Sequence, residues 1–292
     1  MTDITSAQGL QERIVATNGI ELNVATGGQG PPVLLLHGWP HTWRVWRPLM
    51  PLFARDRFVI APDLRGLGAS TRAADGYDLH TLADDLAGLL DALGVGPAFV
   101  IGIDLGAAIA WMLAMRHPAK VHRLCVMEGL IGALPGAELF LRAGPPWWFG
   151  FHGTPGLAET VIEGHEAEYL DWFLRAGTED GCGVDAERDA FVAAYTGQDA
   201  LRCGFKHYRS FAINAAQIQA MVSDRRLSIP TLAVAGGVVG DAVYRQLKPI
   251  ADDLHLCKIP NCKHIIPLEQ PEALHTALSS FDAETTGQRQ DA

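Results

Sequence analysis

The chain has 292 residues, 48% of them apolar, with a formal net charge of −10 and five cysteines. That length and apolar content suffice for a large buried core in one α/β unit, with room for a long insertion. The acidic balance lacks the basic face that nucleic acid or an anionic membrane surface requires, and Cys125, Cys182, Cys203, Cys257 and Cys262 form no CxxC pair, so neither a disulfide framework nor a metal cluster is expected.

The start, Met1-Thr2-Asp3-Ile4, has no basic or apolar leader pattern, and no later run approaches the length of a membrane span, which points to a reducing cytoplasm. Residues 13–26 alternate apolar and polar around Asn18-Gly19, the pattern of an antiparallel hairpin at a sheet edge. Val33-Leu34-Leu35-Leu36 is a continuous apolar run, as in a strand buried on both faces, and it ends at His37-Gly38-Trp39-Pro40. Trp43, Trp46, Leu49 and Phe53 then recur at helical spacing over 43–55, before a second buried strand, Phe58-Val59-Ile60-Ala61. The glycine-rich loop at 63–70 has neither the Lys-Ser/Thr of a P-loop nor a dinucleotide fingerprint. An amphipathic helix is predicted over 79–93, closed by Gly94, and strands follow at 98–103 and 121–127 on either side of an apolar helix at 105–116.

This alternation predicts a doubly wound, mostly parallel sheet flanked by helices. After Glu128 the rhythm changes, and residues 130–228 read as helices rich in aromatic side chains, an inserted cap suited to an apolar ligand. The sheet resumes at 231–236, followed by a predicted helix at 241–254, a short strand at 255–259, a loop holding His264 and a last helix at 271–281 before a fraying polar tail. The expected domains are therefore a core of 1–129 and 229–292 and a cap of 130–228.

The strand at 98–103 ends in Gly102-Ile103-Asp104-Leu105-Gly106 and passes directly into a helix. Glycines at this spacing let a strand turn so sharply that the central side chain projects alone, the arrangement of a nucleophile elbow. Serine is the common occupant; an acid there either caps the helix or attacks carbon to form an ester, which calls for an electrophilic carbon such as an epoxide or alkyl halide. Loops at the carboxyl ends of parallel strands meet on one edge, which brings Trp39, Asp104, Glu128, Asp241 and His264 into range of one another. His264, after the final strand and before the final helix, is the candidate base. Glu128 is the favoured orienting acid, because Asp241 sits where an ordinary helix cap would; Asp241 stays the alternative.

His37-Gly38-Trp39-Pro40, the Asp104 elbow, Asp63-Leu64-Arg65-Gly66-x-Gly68, the helical insertion and the late His264 together resemble the α/β-hydrolase fold, specifically its epoxide hydrolase and haloalkane dehalogenase branch, over about residues 11–281. The resemblance implies that the backbone amides of Trp39 and Leu105 hold an oxyanion and that His37 is structural. It also implies that Tyr208, in His207-Tyr208-Arg209, donates a proton to an epoxide oxygen. Trp147, Trp148, Tyr169 and Tyr195 are the other candidates for the substrate pocket or a second donor. Leu105 and Ala108 stand where dehalogenases of this branch carry a halide-binding Trp or substrate-binding arginines, which favours a small-molecule epoxide opened to a vicinal diol without cofactor or metal. Dehalogenation by the same Asp104-His264 pair and a non-catalytic ligand-binding role are the alternatives. Monomer and homodimer both remain open.

Overall fold

The computed structural model describes residues 9–179 and 181–287. The start at 1–4 and the last residues of the polar tail lie outside them. Eight strands form one sheet in the order β1-β2-β4-β3-β5-β6-β7-β8. β1 (Gln11–Thr17) and β2 (Ile20–Gly27) are the expected edge hairpin, antiparallel about Asn18-Gly19, and β2 pairs antiparallel with β4 (Phe58–Pro62). β3 (Pro32–Leu36), β4, β5 (Ala98–Ile103), β6 (Val121–Met127), β7 (Thr231–Ala235) and β8 (Leu254–Lys258) run parallel. Every residue of β5 is buried, as its uninterrupted apolar sequence requires of a central parallel strand.

Three helical predictions change in extent. Residues 43–55 form a 3₁₀ turn (Trp43–Trp46) and one turn of helix α1 (Met50–Phe53), because Pro48 and Pro51 lack the amides a continuous helix would use. After α2 (Leu79–Ala92) and α3 (Leu105–Arg116), the predicted helix at 241–254 shrinks to α10 (Ala242–Leu247); Pro249 follows closely, and Ala251 bridges to Leu227. The final helix, α12 (Pro271–Gly287), runs past the expected fray at 282, where Asp282 is buried and paired with Arg57 at 2.6 Å and Arg123 at 2.8 Å.

Between β6 and β7 lie six α-helices among the described residues: α4 (Trp147–Gly153), α5 (Leu157–Ile162), α6 (Glu166–Ala176), α7 (Arg188–Tyr195), α8 (Gln198–Arg209) and α9 (Phe211–Asp224). α2 and α3 pack on one face of the sheet, while α1, α12 and the short α11 (Ile266–Glu269) pack on the other. No helix among the described residues is long and apolar enough to cross a membrane.

α3 carries almost no polar residue because it is buried nearly all round, against β3, β5, β6 and α2. Gly106 is what lets it approach: a Cβ there would lie 2.3 Å from the Leu36 carbonyl oxygen and 2.5 Å from that of His37. Both obstacles are backbone, so neither can rotate away. Gly106→Ala is therefore expected to destabilise the fold by about 3 kcal/mol or more, seen as a lowered midpoint in urea denaturation.

Candidate active site

Asp104 leaves β5 with φ 55° and ψ −124°, a backbone conformation that L side chains rarely adopt. The flanking glycines make it possible, since a Cβ at Gly102 would lie 2.2 Å from the Gly106 carbonyl oxygen. Its side chain makes no capping bond to α3, so helix capping does not account for the acid. Instead, Oδ1 accepts the Trp39 amide at 3.1 Å, and the neighbouring Leu105 amide favours the charged form of the carboxylate. Gly38 clears the space for that carboxylate: a Cβ there would come within 2.2 Å of Oδ1. His37 supports the turn, accepting the Leu64 amide at Nε2 (3.1 Å) and contacting the Gly38 carbonyl through Nδ1 (2.7 Å).

The other oxygen, Oδ2, lies 3.3 Å from His264 Nε2, and His264 Nδ1 lies 3.5 Å from Glu128 Oε2. The second distance is long for a hydrogen bond but close for charge attraction. Glu128 is fully buried and is held by three backbone amides: Gly236 (2.8 Å) and Gly240 (3.0 Å) donate to Oε1, and Val239 (2.8 Å) donates to Oε2. The loop after β7 thus fixes an acid that belongs to β6. Asp241 caps neither this acid nor the base; it pairs with Arg245 at 3.0 Å on α10 and is absent from the cavity wall. Of the two acids considered, Glu128 faces His264.

These contacts set the charges. Burial opposes ionisation of Asp104, but the hydrogen bond and charge of His264 and the amides of Leu105 and Trp39 outweigh it and hold the carboxyl below its ordinary range. Burial likewise works against a charged His264, yet the close approach and charges of Asp104 and Glu128 raise its pKa to about 10. The resting site is an ion pair, imidazolium beside carboxylate.

A cavity of about 400 Å³ separates Asp104 and His264 from the cap. Its cap wall includes Trp148, Phe149, Phe173, Tyr208 and Phe211, and among the described residues no Lys or Arg lines it. Three predicted pocket residues lie elsewhere. Trp147 is 53% exposed, because it precedes Trp148 by one helical step and so points about 100° away, onto the outer face of the cap. The Tyr195 ring is fully buried in the cap, and its hydroxyl donates to the His41 carbonyl at 2.7 Å. Tyr169 is turned to His152, 2.7 Å from Nε2, and does not reach the cavity. Cavity residues not anticipated from sequence include Leu79 and Leu82 of α2 and Val238 and Val239 of the β7 loop. The two leucines lie on the same apolar face that the core uses, so nothing local distinguishes them.

The description "alpha/beta hydrolase fold" belongs to a family model that matches residues 31–271. Among curated relatives, the soluble epoxide hydrolase of Corynebacterium sp. (strain C12) is 30% identical over 289 residues, covering 96% of this chain and 98% of its own. Epoxide hydrolase 1 of Siraitia grosvenorii is 38% identical over 264 residues, covering 80% and 82%. Among solved structures, wild-type Cfl2 from Burkholderia cenocepacia superposes with a TM-score of 0.85 at 34% identity, over 94% of this chain and 96% of that one. The epoxide hydrolase CorEH gives 0.84 at 27% identity, over 94% and 99%. The family match begins just before β3 and reaches the start of α12, so it takes in every strand from which Trp39, Asp104, Glu128 and His264 project, and the chain belongs to the α/β-hydrolase fold family.

Proposed function

We propose that the protein hydrolyses an epoxide to a vicinal diol through a covalent ester on Asp104. Asp104 Oδ2 attacks a ring carbon while Oδ1 stays on the Trp39 amide as the future carbonyl oxygen. The carbon-oxygen bond breaks toward the epoxide oxygen, which takes a proton from Tyr208; the proton that the His264 imidazolium sheds once Asp104 is esterified restores the Tyr208 phenol and leaves His264 a neutral base. Water, deprotonated by His264, then adds to the ester carbonyl, and the oxyanion is held by the Trp39 and Leu105 amides. Collapse expels the second alcohol oxygen, which receives the proton from His264, and the carboxyl proton left on Asp104 then passes to His264, restoring the carboxylate and the imidazolium.

Tyr208 carries this reading. Of the cap tyrosines, Tyr169 and Tyr195 have their hydroxyls engaged, whereas among the described residues the Tyr208 hydroxyl has no protein partner, and its ring lines the cavity that holds Asp104. Burial pushes its pKa well above the ordinary value, so it is a protonated donor throughout the neutral range. Trp148, in the same wall, supplies an indole N–H as the second donor. The aromatic walls and the absence of a lining Lys or Arg among the described residues favour a bulky, neutral, apolar or aromatic epoxide. A haloacid would bring a carboxylate that meets no lining Lys or Arg among the described residues, the His264 charge being already paired with Asp104 and Glu128; a neutral alkyl halide, its leaving ion held by Trp148 and Tyr208, is the second reading.

Multiple turnovers in water enriched in the heavy oxygen isotope should place label in the Asp104 carboxylate, because water attacks the ester at its carbonyl carbon. Peptide mass spectrometry reads this directly. Label found only in the diol would sink the covalent route, and halide release with no activity on epoxides would favour the second reading.

A further inference from the structure

His152 lies outside the cavity wall and is fully buried in the cap, yet it meets both halves of the proposed machinery. Its ring packs edge-to-face on Trp39 at 4.7 Å and on Tyr208 at 4.5 Å, and stacks on Phe205 at 4.2 Å. Trp39 gives its amide to Asp104, and Tyr208 is the candidate acid. On the far side, Nε2 lies 2.7 Å from the Tyr169 hydroxyl. Burial, with the Arg209 charge a lesser contribution, lowers the His152 pKa to about 3, so the ring is neutral; burial also keeps the Tyr169 phenol protonated. If Nε2 carried the proton, the Tyr169 O–H would lose its acceptor. The arrangement that leaves fewest groups unmet has Tyr169 donating to Nε2 and the imidazole proton on Nδ1.

Nδ1 is buried and has no conventional partner. The imidazole as a whole is ringed by aromatic side chains, of which Phe205, Tyr208 and Trp39 are the nearest, and edge-to-face packing such as it makes with Tyr208 and Trp39 is a geometry in which an N–H can be directed at an aromatic face. Resting on the epoxide reading above, we propose that His152, oriented by Tyr169, is a positioning residue that fixes the Tyr208 ring in the cavity wall so that its hydroxyl meets the epoxide oxygen. A phenylalanine could fill the same volume but would lose the Tyr169 bond that sets the ring's rotation. Glutamine keeps an acceptor near the position of Nε2.

The test is single-turnover opening of styrene oxide by the full chain. His152→Phe and Tyr169→Phe should each slow ring opening by about 30-fold, the scale expected of a displaced catalytic group, with little change in substrate affinity. His152→Gln should recover most of the rate. In a Tyr208→Phe background the same substitutions should cost nothing more, because the group they position is gone. A merely structural role predicts additive losses, and additivity would overturn the proposal. A second readout needs no turnover: with fluorotyrosine incorporated, the Tyr208 fluorine resonance, identified by its loss in Tyr208→Phe, should be sharp in the unsubstituted chain and broadened or doubled in Tyr169→Phe. An unchanged resonance would also overturn it. Should the unsubstituted chain fail to open styrene oxide or any other epoxide, the epoxide reading falls while the fluorine spectrum still decides whether His152 and Tyr169 hold Tyr208.

Discussion

Asp104→Asn is expected to abolish epoxide turnover, lowering kcat by about 10⁴-fold or more, and to leave no covalent adduct after incubation with substrate. Asparagine is the informative replacement. Asparagine has the size and shape of the aspartate that already holds φ 55° and ψ −124° at position 104, so the elbow and the fold are expected to survive. The amide keeps an oxygen for the Trp39 and Leu105 amides while losing the charge and nucleophilicity of the carboxylate. It also removes one of the two anions that raise the pKa of His264, which should fall below about 10. Circular dichroism matching the unsubstituted chain, with turnover gone, separates loss of chemistry from loss of fold. Retained turnover would remove Asp104 from the mechanism.

The strands of the sheet and the position of Asp104 were legible because each depends on local pattern. Uninterrupted Val, Leu and Ile runs mark strands buried on both faces, and a glycine on each side of one acid marks a turn too sharp for other residues. Glu128 was legible only in part. Its place at a strand end was visible, but the amides of Gly236, Val239 and Gly240 that fix it lie more than a hundred residues downstream and leave no trace near it. The proline interruptions at Pro48, Pro51 and Pro249 were in plain sight, and apolar spacing alone overstated both helices. The cap was hardest. Trp147-Trp148-Phe149-Gly150-Phe151 is apolar throughout, so it has no polar face to reveal which ring turns inward; tertiary packing chooses Trp148 and leaves Trp147 outside. The motif around Tyr208 marked it as a donor but did not exclude Tyr169 and Tyr195, whose hydroxyls are taken out of use only by distant partners, His152 and the His41 carbonyl.

His264→Gln should separate the two chemical steps. Attack by Asp104 needs no base, so one equivalent of ester should form and persist, while steady turnover drops by about 10³-fold or more. The charges of the resting site give this step a pH signature. His264 is an imidazolium in the free enzyme, held there by Asp104 and Glu128 against the effect of burial. Esterification neutralises Asp104 and removes one of those two anions. Burial then acts against Glu128 alone, and the pKa of His264 falls from about 10 toward and through neutrality. The base is therefore liberated by the step that creates its substrate. The proton His264 sheds equals the one the opened oxygen acquires, so ring opening leaves the site with no net proton uptake. In the unsubstituted chain, ring opening should be level across the neutral range, because Asp104 is ionised and Tyr208 protonated throughout it. Ester hydrolysis should rise with pH and level off well below 10, since it requires the neutral imidazole of the ester form. Stopped-flow tryptophan fluorescence can follow both phases, with Trp148 and Trp39 beside the reacting atoms. A hydrolysis phase that keeps rising until pH reaches about 10 would mean that esterification does not release His264, and the charge of Asp104 would then not be what holds the base in check.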